Sequence, residues 1–152
     1  MPNIVLKIPK NAFPAEHRAA LVQRMHDAAA SVERIPAEPA KRVLSWVLVD
    51  EIDPADWTCG GADVSHRFIP CLVIVYLPAG VLDDSARSQY ASQVQAAFQQ
   101  SLPPQERRQL VTSLVLNEVA DGTWGVNGDI WRLPQFAEAA GFAHLQHLLV
   151  PA

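Results

Sequence analysis

The chain lacks most of the features that mark specialised classes of protein. Only 2 of its 152 residues are cysteine; Cys59 and Cys71 are too few for a disulfide framework, and each suits a reducing compartment as a small apolar residue. Cations are not in excess, since 12 Lys and Arg against 16 Asp and Glu leave a net charge of -4. They are also scattered, which argues against nucleic acid as a partner. Long hydrophobic runs are missing too. The richest, Cys71 to Leu82, is short and broken by Pro78 and Gly80, and the first dozen residues have no apolar core of the signal-peptide kind. The expectation is a cytoplasmic protein with no membrane partner. His144 and His147 stand three apart on an expected helix, but no acidic or thiol group is placed beside them, so no metal is expected.

What is present suffices for one globular domain spanning residues 1–152: 49% of residues are hydrophobic and 18% charged. The chain opens Met-Pro-Asn-Ile-Val-Leu-Lys-Ile, a strand-like run that would anchor an otherwise mobile terminus. Removal of Met1 would leave Pro2 as a secondary amine at the end of that strand. With a reference α-amino pKa of about 7.7 to 8.0, such an amine in apolar surroundings can act as a general base near neutral pH.

The first half reads strand, helix, strand. An extended stretch at 3–8 is followed by a helix from about Pro14 to Ser31, in which Leu21, Met25, Ala28 and Val32 form one buried stripe. A second strand is expected from about Val43 to Glu51, apolar on both faces and therefore buried on both. The second half repeats the plan, with a strand at about Leu72 to Leu77, a helix capped by Asp83 or Asp84 and running to about Ser101, and a strand from Thr112 to Val119. Ala86, Tyr90, Val94 and Ala97 line the inner face of that helix, where Tyr90 reads as core.

The repetition reaches single residues. Pro70 lies 68 after Pro2, Glu118 lies 67 after Glu51, and Trp124 lies 67 after Trp57. The closing segments VLVDEIDPADWTCGG and LVLNEVADGTWGVNG each run strand, Glu, turn, Trp, Gly. Gly60, Gly61, Gly125 and Gly128 are expected to supply the positive φ of tight hairpins. A fused duplication accounts for this, with repeat one at about 2–64, repeat two at about 69–130 and a tail at about 131–152, where Pro134 starts a short helix that Gly141 can end. Glu51 and Glu118, occurring in both halves, read as structural. Two right-handed βαβ units side by side give an α+β fold: a four-stranded mixed sheet with both helices on one face. The other face stays apolar, so oligomerisation is expected.

Proline directly after Met, the duplicated βαβ plan and hairpins with an aromatic before Gly-Gly together resemble the tautomerase superfamily. The likeness is to its long two-repeat members, such as macrophage migration inhibitory factor, malonate semialdehyde decarboxylase and the cis-type 3-chloroacrylic acid dehalogenase, and it covers about residues 2–130. The resemblance implies a homotrimer whose sheets form a barrel, with the terminal proline at the inner end of a pocket shared between subunits. It also implies a cofactor-independent isomerase, in which Pro2 is the catalytic base for keto-enol proton transfer on a small 2-oxo acid. Two alternatives share the scaffold: hydrolytic dehalogenation, hydration or decarboxylation of a short three-carbon acid, and a non-catalytic trimer.

Carried over residue by residue, Pro2 matches the catalytic proline, and Trp57 the pocket aromatic of the short 4-oxalocrotonate tautomerase, with Trp124 its counterpart in the second repeat. Pro70 has its nitrogen in a peptide bond and cannot be a base. The arginines of the short tautomerases would fall at Ala12 and Trp46, the arginine pair of the long enzymes in LPAGVLDD, their aspartate near Pro39 and their helix histidine near Ala28; none is present. An enolate-like transition state needs donors or cations, so Lys10, Arg67 and Arg132 are the candidates to bind a carboxylate. Trp46 in an arginine position implies a more apolar pocket.

Overall fold

The computed structural model describes residues 2–150. Met1 and the last two residues of the tail lie outside the described residues. In β1 (Asn3–Pro9), Ile4, Leu6 and Ile8 are buried while the alternate side chains are half-exposed, the period-two pattern of a strand covered on one face. A turn through Asn11, at φ 67°, buries Ala12 and Phe13 and delivers Pro14 to the start of α1 (Ala15–Val32). Leu21, Met25, Ala28, Ala29 and Val32 form the buried face of α1, as their spacing predicts.

Between α1 and the second strand the structure departs from expectation. Residues Pro39–Arg42 form a short helix, α2, with proline in its first turn. The strand therefore starts at Trp46, and β2 (Trp46–Ile52) runs parallel to β1. Its first link is the Trp46 N–H, which donates to the Pro2 carbonyl at 3.0 Å. After the small hairpin β3 (Thr58–Cys59) and β4 (Ala62–Asp63), the second unit consists of β5 (Phe68–Pro78), α3 (Asp84–Ser101) and β6 (Gln109–Val119). The Asp83 side chain caps α3 by accepting from the Ala86 N–H at 2.7 Å. Strands β5 and β6 are each longer than their apolar runs suggest, because they pair along their whole length, from Phe68 with Gln109 to Pro78 with Val119.

The sheet order is β2-β1-β5-β6, with β1 and β5 antiparallel at the centre. Pairing between these two strands reaches Lys7 with Leu72. Continuing the register sets Pro9 opposite Pro70, so neither missing N–H interrupts a ladder. Both long helices cover one face, where Phe13 and Phe98 meet at 5.9 Å between ring centroids. The duplicated glutamates do the same work in each unit. Glu51 accepts from Arg18 at 2.9 Å and Glu118 from Arg87 at 2.8 Å, each arginine being the fourth residue of its helix.

Burial on both faces of β2, expected from its apolar pattern, holds within one chain only on the helix side. Trp46 and Leu48 are 54% and 51% exposed, and Val111 and Val115 of β6 lie similarly open. The second hairpin, β7 (Trp124–Val126) and β8 (Asp129–Trp131), turns through Asn127 at φ 53° and Gly128 at φ 95°. Gly125 lies inside β7 and supplies no turn, correcting that expectation; Asn tolerates the left-handed region in its place. Phe136 of α4 (Leu133–Ala140) packs between Trp124 and Trp131, with centroids 5.2 and 5.3 Å away, and Gly141 ends α4 in the left-handed conformation.

Phe98 is wholly buried between the two units. Truncation to alanine should therefore cost about 3 to 5 kcal/mol, measured by denaturant unfolding. A loss below about 1 kcal/mol would contradict a shared core across the two repeats.

Candidate functional site

Pro2 begins a central strand, and four features converge on its end of the sheet. Asn3 pairs with Tyr76, so the register places Pro2 opposite Leu77, and the turn at 79–82 after β5 lies at the same level. Helix α1 begins beyond the far end of β1; its 18 residues return about 27 Å at 1.5 Å per residue, enough to bring its last turn back to this end. Helix α3 starts here, directly after β5. The turn at 143–149 closes over it, with the Ala143 N–H donating to the Arg34 carbonyl at 3.1 Å. Pro2 itself is buried on the helix side of the sheet, in line with Ile4 and Leu6.

At the last turn of α1, Glu33 is wholly buried. A carboxylate there opposes the helix dipole and loses its hydration, yet its Oε1 accepts from the Tyr90 hydroxyl at 2.7 Å. Burial raises the Glu33 pKa to about 7; the positive charge of the chain's amino terminus and the Tyr90 hydrogen bond pull it downward. Tyr90, also wholly buried, is pushed well above its ordinary value by desolvation and by Glu33. Tyr90 is thus in the core, as its stripe predicts, but it also carries a polar contact that the stripe does not reveal.

Two clefts flank this end. One, of about 270 Å³, is lined by Val32, Arg34, Gly80, Val81, Asp83 and His144 among others. Arg34 holds φ at 55° and is the one Lys or Arg among the described lining residues. His144 Nε2 lies 2.8 Å from the Val81 carbonyl and donates to it, and its Nδ1 is buried without a partner among the described residues. The other cleft, of about 500 Å³, is lined by Gln23, His26, Arg42 and Ser45 with Pro39 and Val43. Burial lowers the pKa of His26. The Ser45 hydroxyl and the Asn3 side-chain oxygen, both next to Pro2 in the sheet, are buried without a partner among the described residues, and such atoms call for one.

The site residues expected from sequence divide between the two ends of the sheet. Trp46 neighbours Asn3 on the open face, and Trp124 and Arg132 follow β6 at the Pro2 end. Arg132 is engaged with Asp121 at 2.9 Å. Lys10, Trp57 and Arg67 lie at the far end, where the Lys10 N–H donates to Ile52, Trp57 packs near Pro9 and Pro70, and Arg67 sits 5.0 Å over the Phe68 ring. Within one chain that is roughly 23 Å from Pro2, taking about 3.3 Å per strand residue along β1. Glu33, Arg34 and His144 were missed as site residues. An acidic residue in the last turn of a helix is the one signal that could have flagged Glu33.

Two βαβ units fused about an antiparallel seam, with proline at the head of the first strand, define the tautomerase fold, and solved structures agree. A fused 4-OT forming a symmetric trimer is 23% identical, covering 91% of this chain and 98% of its own at a TM-score of 0.67. The structure named N1, a member of the cis-3-chloroacrylic acid dehalogenase family, is 16% identical, covering 97% and 94% at 0.67. Pt0534 inactivated by 2-oxo-3-pentynoate is 14% identical, covering 84% and 94% at 0.67. At these identities the likeness shows the fold. No family model matches the chain, and no curated protein does.

Glu33 makes stability fall with rising pH. Its folded pKa of about 7 exceeds the ordinary carboxyl value of 4.5, so between those values the folded state holds a proton that the unfolded state has lost. The Tm of the wild type should drop from pH 4.5 to pH 7.5 more than that of Glu33→Gln. Parallel Tm profiles would contradict this ionisation behaviour.

Proposed function

We propose that the chain is a cofactor-independent tautomerase in which removal of Met1 frees Pro2 to act as general base on a small enolisable 2-oxo acid. The observation that carries this reading is the position of Pro2, buried at the head of a central strand where both helices, two clefts and the Asn3 and Ser45 oxygens, without a partner among the described residues, converge. A buried neutral amine takes a proton from the enol hydroxyl or an activated carbon and returns it to the neighbouring carbon. The substrate's carboxylate and the enolate charge need a cation. Arg34 at the mouth of the smaller cleft meets that need within one chain, with Arg132 close by.

Assembly as a homotrimer would use the open sheet face. Trp46, Leu48, Val111 and Val115 are exposed there, and the fused 4-OT of the same fold is a trimer. In that arrangement Lys10, Trp57 and Arg67 of a neighbouring copy are the groups that could reach Pro2, while Trp46 and Trp124 wall the pocket from its own chain. A reducing, cytoplasmic setting suits the exposed thiol of Cys59. A second reading, hydration or hydrolytic dehalogenation of a short unsaturated acid, is favoured by one feature: an acidic residue at the Pro2 end would hold the amine cationic, so that it protonates the substrate.

Intact mass should show a mature chain without Met1, and ketonisation of an enolised 2-oxo acid should fall about 100-fold or more in Pro2→Ala. Equal rates would refute the tautomerase mechanism and leave a binding protein. 2-Oxo-3-pentynoate, an electrophile open to attack by an amine, should add once to the wild type on its first peptide and not to Pro2→Ala. Placing charge on the open face, as Leu48→Lys with Val115→Lys, should convert a trimer to monomers by light scattering and abolish turnover. A wild type that is monomeric at micromolar concentration would dismiss the shared pocket.

A further inference from the structure

We propose that Glu33, braced by Tyr90, is the carboxylate that faces the Pro2 amine and sets whether that amine works as a base or as an acid. The proposal rests on the reading of Pro2 as the free terminus and goes on to name its partner. Three observations place the two groups together. Pro2 lies on the helix side of the sheet, in line with Ile4, Leu6 and Ile8. Helix α1 returns along β1 so that its final turn, with Glu33, reaches the Pro2 end, where Arg34 is tied to the 143–149 turn. Val32 and Arg34, on either side of Glu33, line one cleft with Gly80 and Val81, in the turn that lies level with Pro2.

The arrangement is costly unless it serves the site. A buried carboxylate gains little for the fold, and the dipole of α1 opposes it. Tyr90 spends its hydroxyl on Glu33 Oε1 and so fixes the carboxylate in one orientation. Other charged or titratable groups at this end are Arg34 and His144 along one cleft, His26 and Arg42 along the other, Asp83, Asp84 and Arg87 at the head of α3, and Arg132 paired with Asp121. Arg87 is committed to Glu118 and Asp84, and Asp83 to its helix cap. Among the described residues Glu33 is the carboxylate at this end that is wholly buried.

A single proton shared between two such groups has two positions. On Glu33 it leaves Pro2 neutral, ready to take a proton from an enol. On Pro2 it leaves an ammonium beside a carboxylate, ready to give a proton to a developing carbanion. Apolar closure over the substrate favours the uncharged arrangement, whereas an anionic substrate beside the amine favours the ammonium. Glu33 is on this account a positioning residue that acts through Pro2.

The test is a nitrogen-15 NMR titration of the Pro2 amine in protein confirmed by mass to lack Met1. In Glu33→Gln the Pro2 midpoint should fall by about one pH unit or more, since an opposite charge at short range shifts a pKa by roughly 1 to 3 units. In Tyr90→Phe, where the carboxylate loses its donor and ionises less readily, it should fall by a smaller amount. The acid limb of kcat/KM for ketonisation should move to lower pH in step. An unchanged Pro2 midpoint in Glu33→Gln overturns the proposal. If that variant does not fold, an unchanged midpoint in Tyr90→Phe overturns it instead. A shifted midpoint in protein that fails to turn over any 2-oxo acid would uphold the Glu33 pairing and defeat the tautomerase reading, so the two failures are distinct.

Discussion

The antiparallel pairing of β1 with β5 is the constraint on which the rest of the molecule depends. Each βαβ unit by itself is a two-stranded parallel ribbon with one helix, too small to bury its apolar face. Joined through Asn3 with Tyr76 to Lys7 with Leu72, the units make one sheet whose helices share a core around Phe13 and Phe98. The same pairing decides which loops meet. Because β5 runs against β1, the turn after β5 and the head of α3 arrive beside Pro2, and the repeat-equivalent Pro70 is carried to the opposite end. One register thus creates two pseudo-equivalent corners, of which only one can hold a free amine.

Several costs concentrate at that corner. Glu33 is a buried acid at the wrong end of a helix, Arg34 occupies the left-handed backbone region, and Asn3, Ser45 and His144 each bury a polar atom without a partner among the described residues. The symmetric ion pairs from Arg18 to Glu51 and from Arg87 to Glu118, by contrast, are ordinary and half-exposed. Strain that falls on one of two related corners points to use rather than to folding. The exposed side chains of Trp46, Leu48, Val111 and Val115 extend the same asymmetry between faces: the helix side is covered within one chain, and the sheet side is left open.

Much of this was legible in the sequence because it depends on local periodicity and on repetition. The stripe of Leu21, Met25, Ala28 and Val32 selects one face of α1, and Asp83 marks the start of α3. The 67-residue recurrence of Glu and Trp pairs the units before any contact is known. Boundaries were less legible. Val43 to Ser45 read as strand by composition, but Pro39 nucleates a helical turn and Trp46 is the first residue with a strand partner. Asn127 took the turn expected of Gly125 because a two-residue loop depends on its exact register with the flanking strands.

By itself, the sequence determined the α+β duplication, the proline able to become a secondary amine, and the presence of Ala12 and Trp46 where the short tautomerases carry arginines. These are matters of residue identity and spacing. Only the tertiary structure decided that Glu33 and Tyr90, 57 residues apart, share a hydrogen bond. It likewise decided that Trp124 and Arg132 lie at the Pro2 end while Lys10, Trp57 and Arg67 lie away from it. The reason is the antiparallel seam, which reverses the direction of the second unit, and no local pattern in either half encodes that reversal.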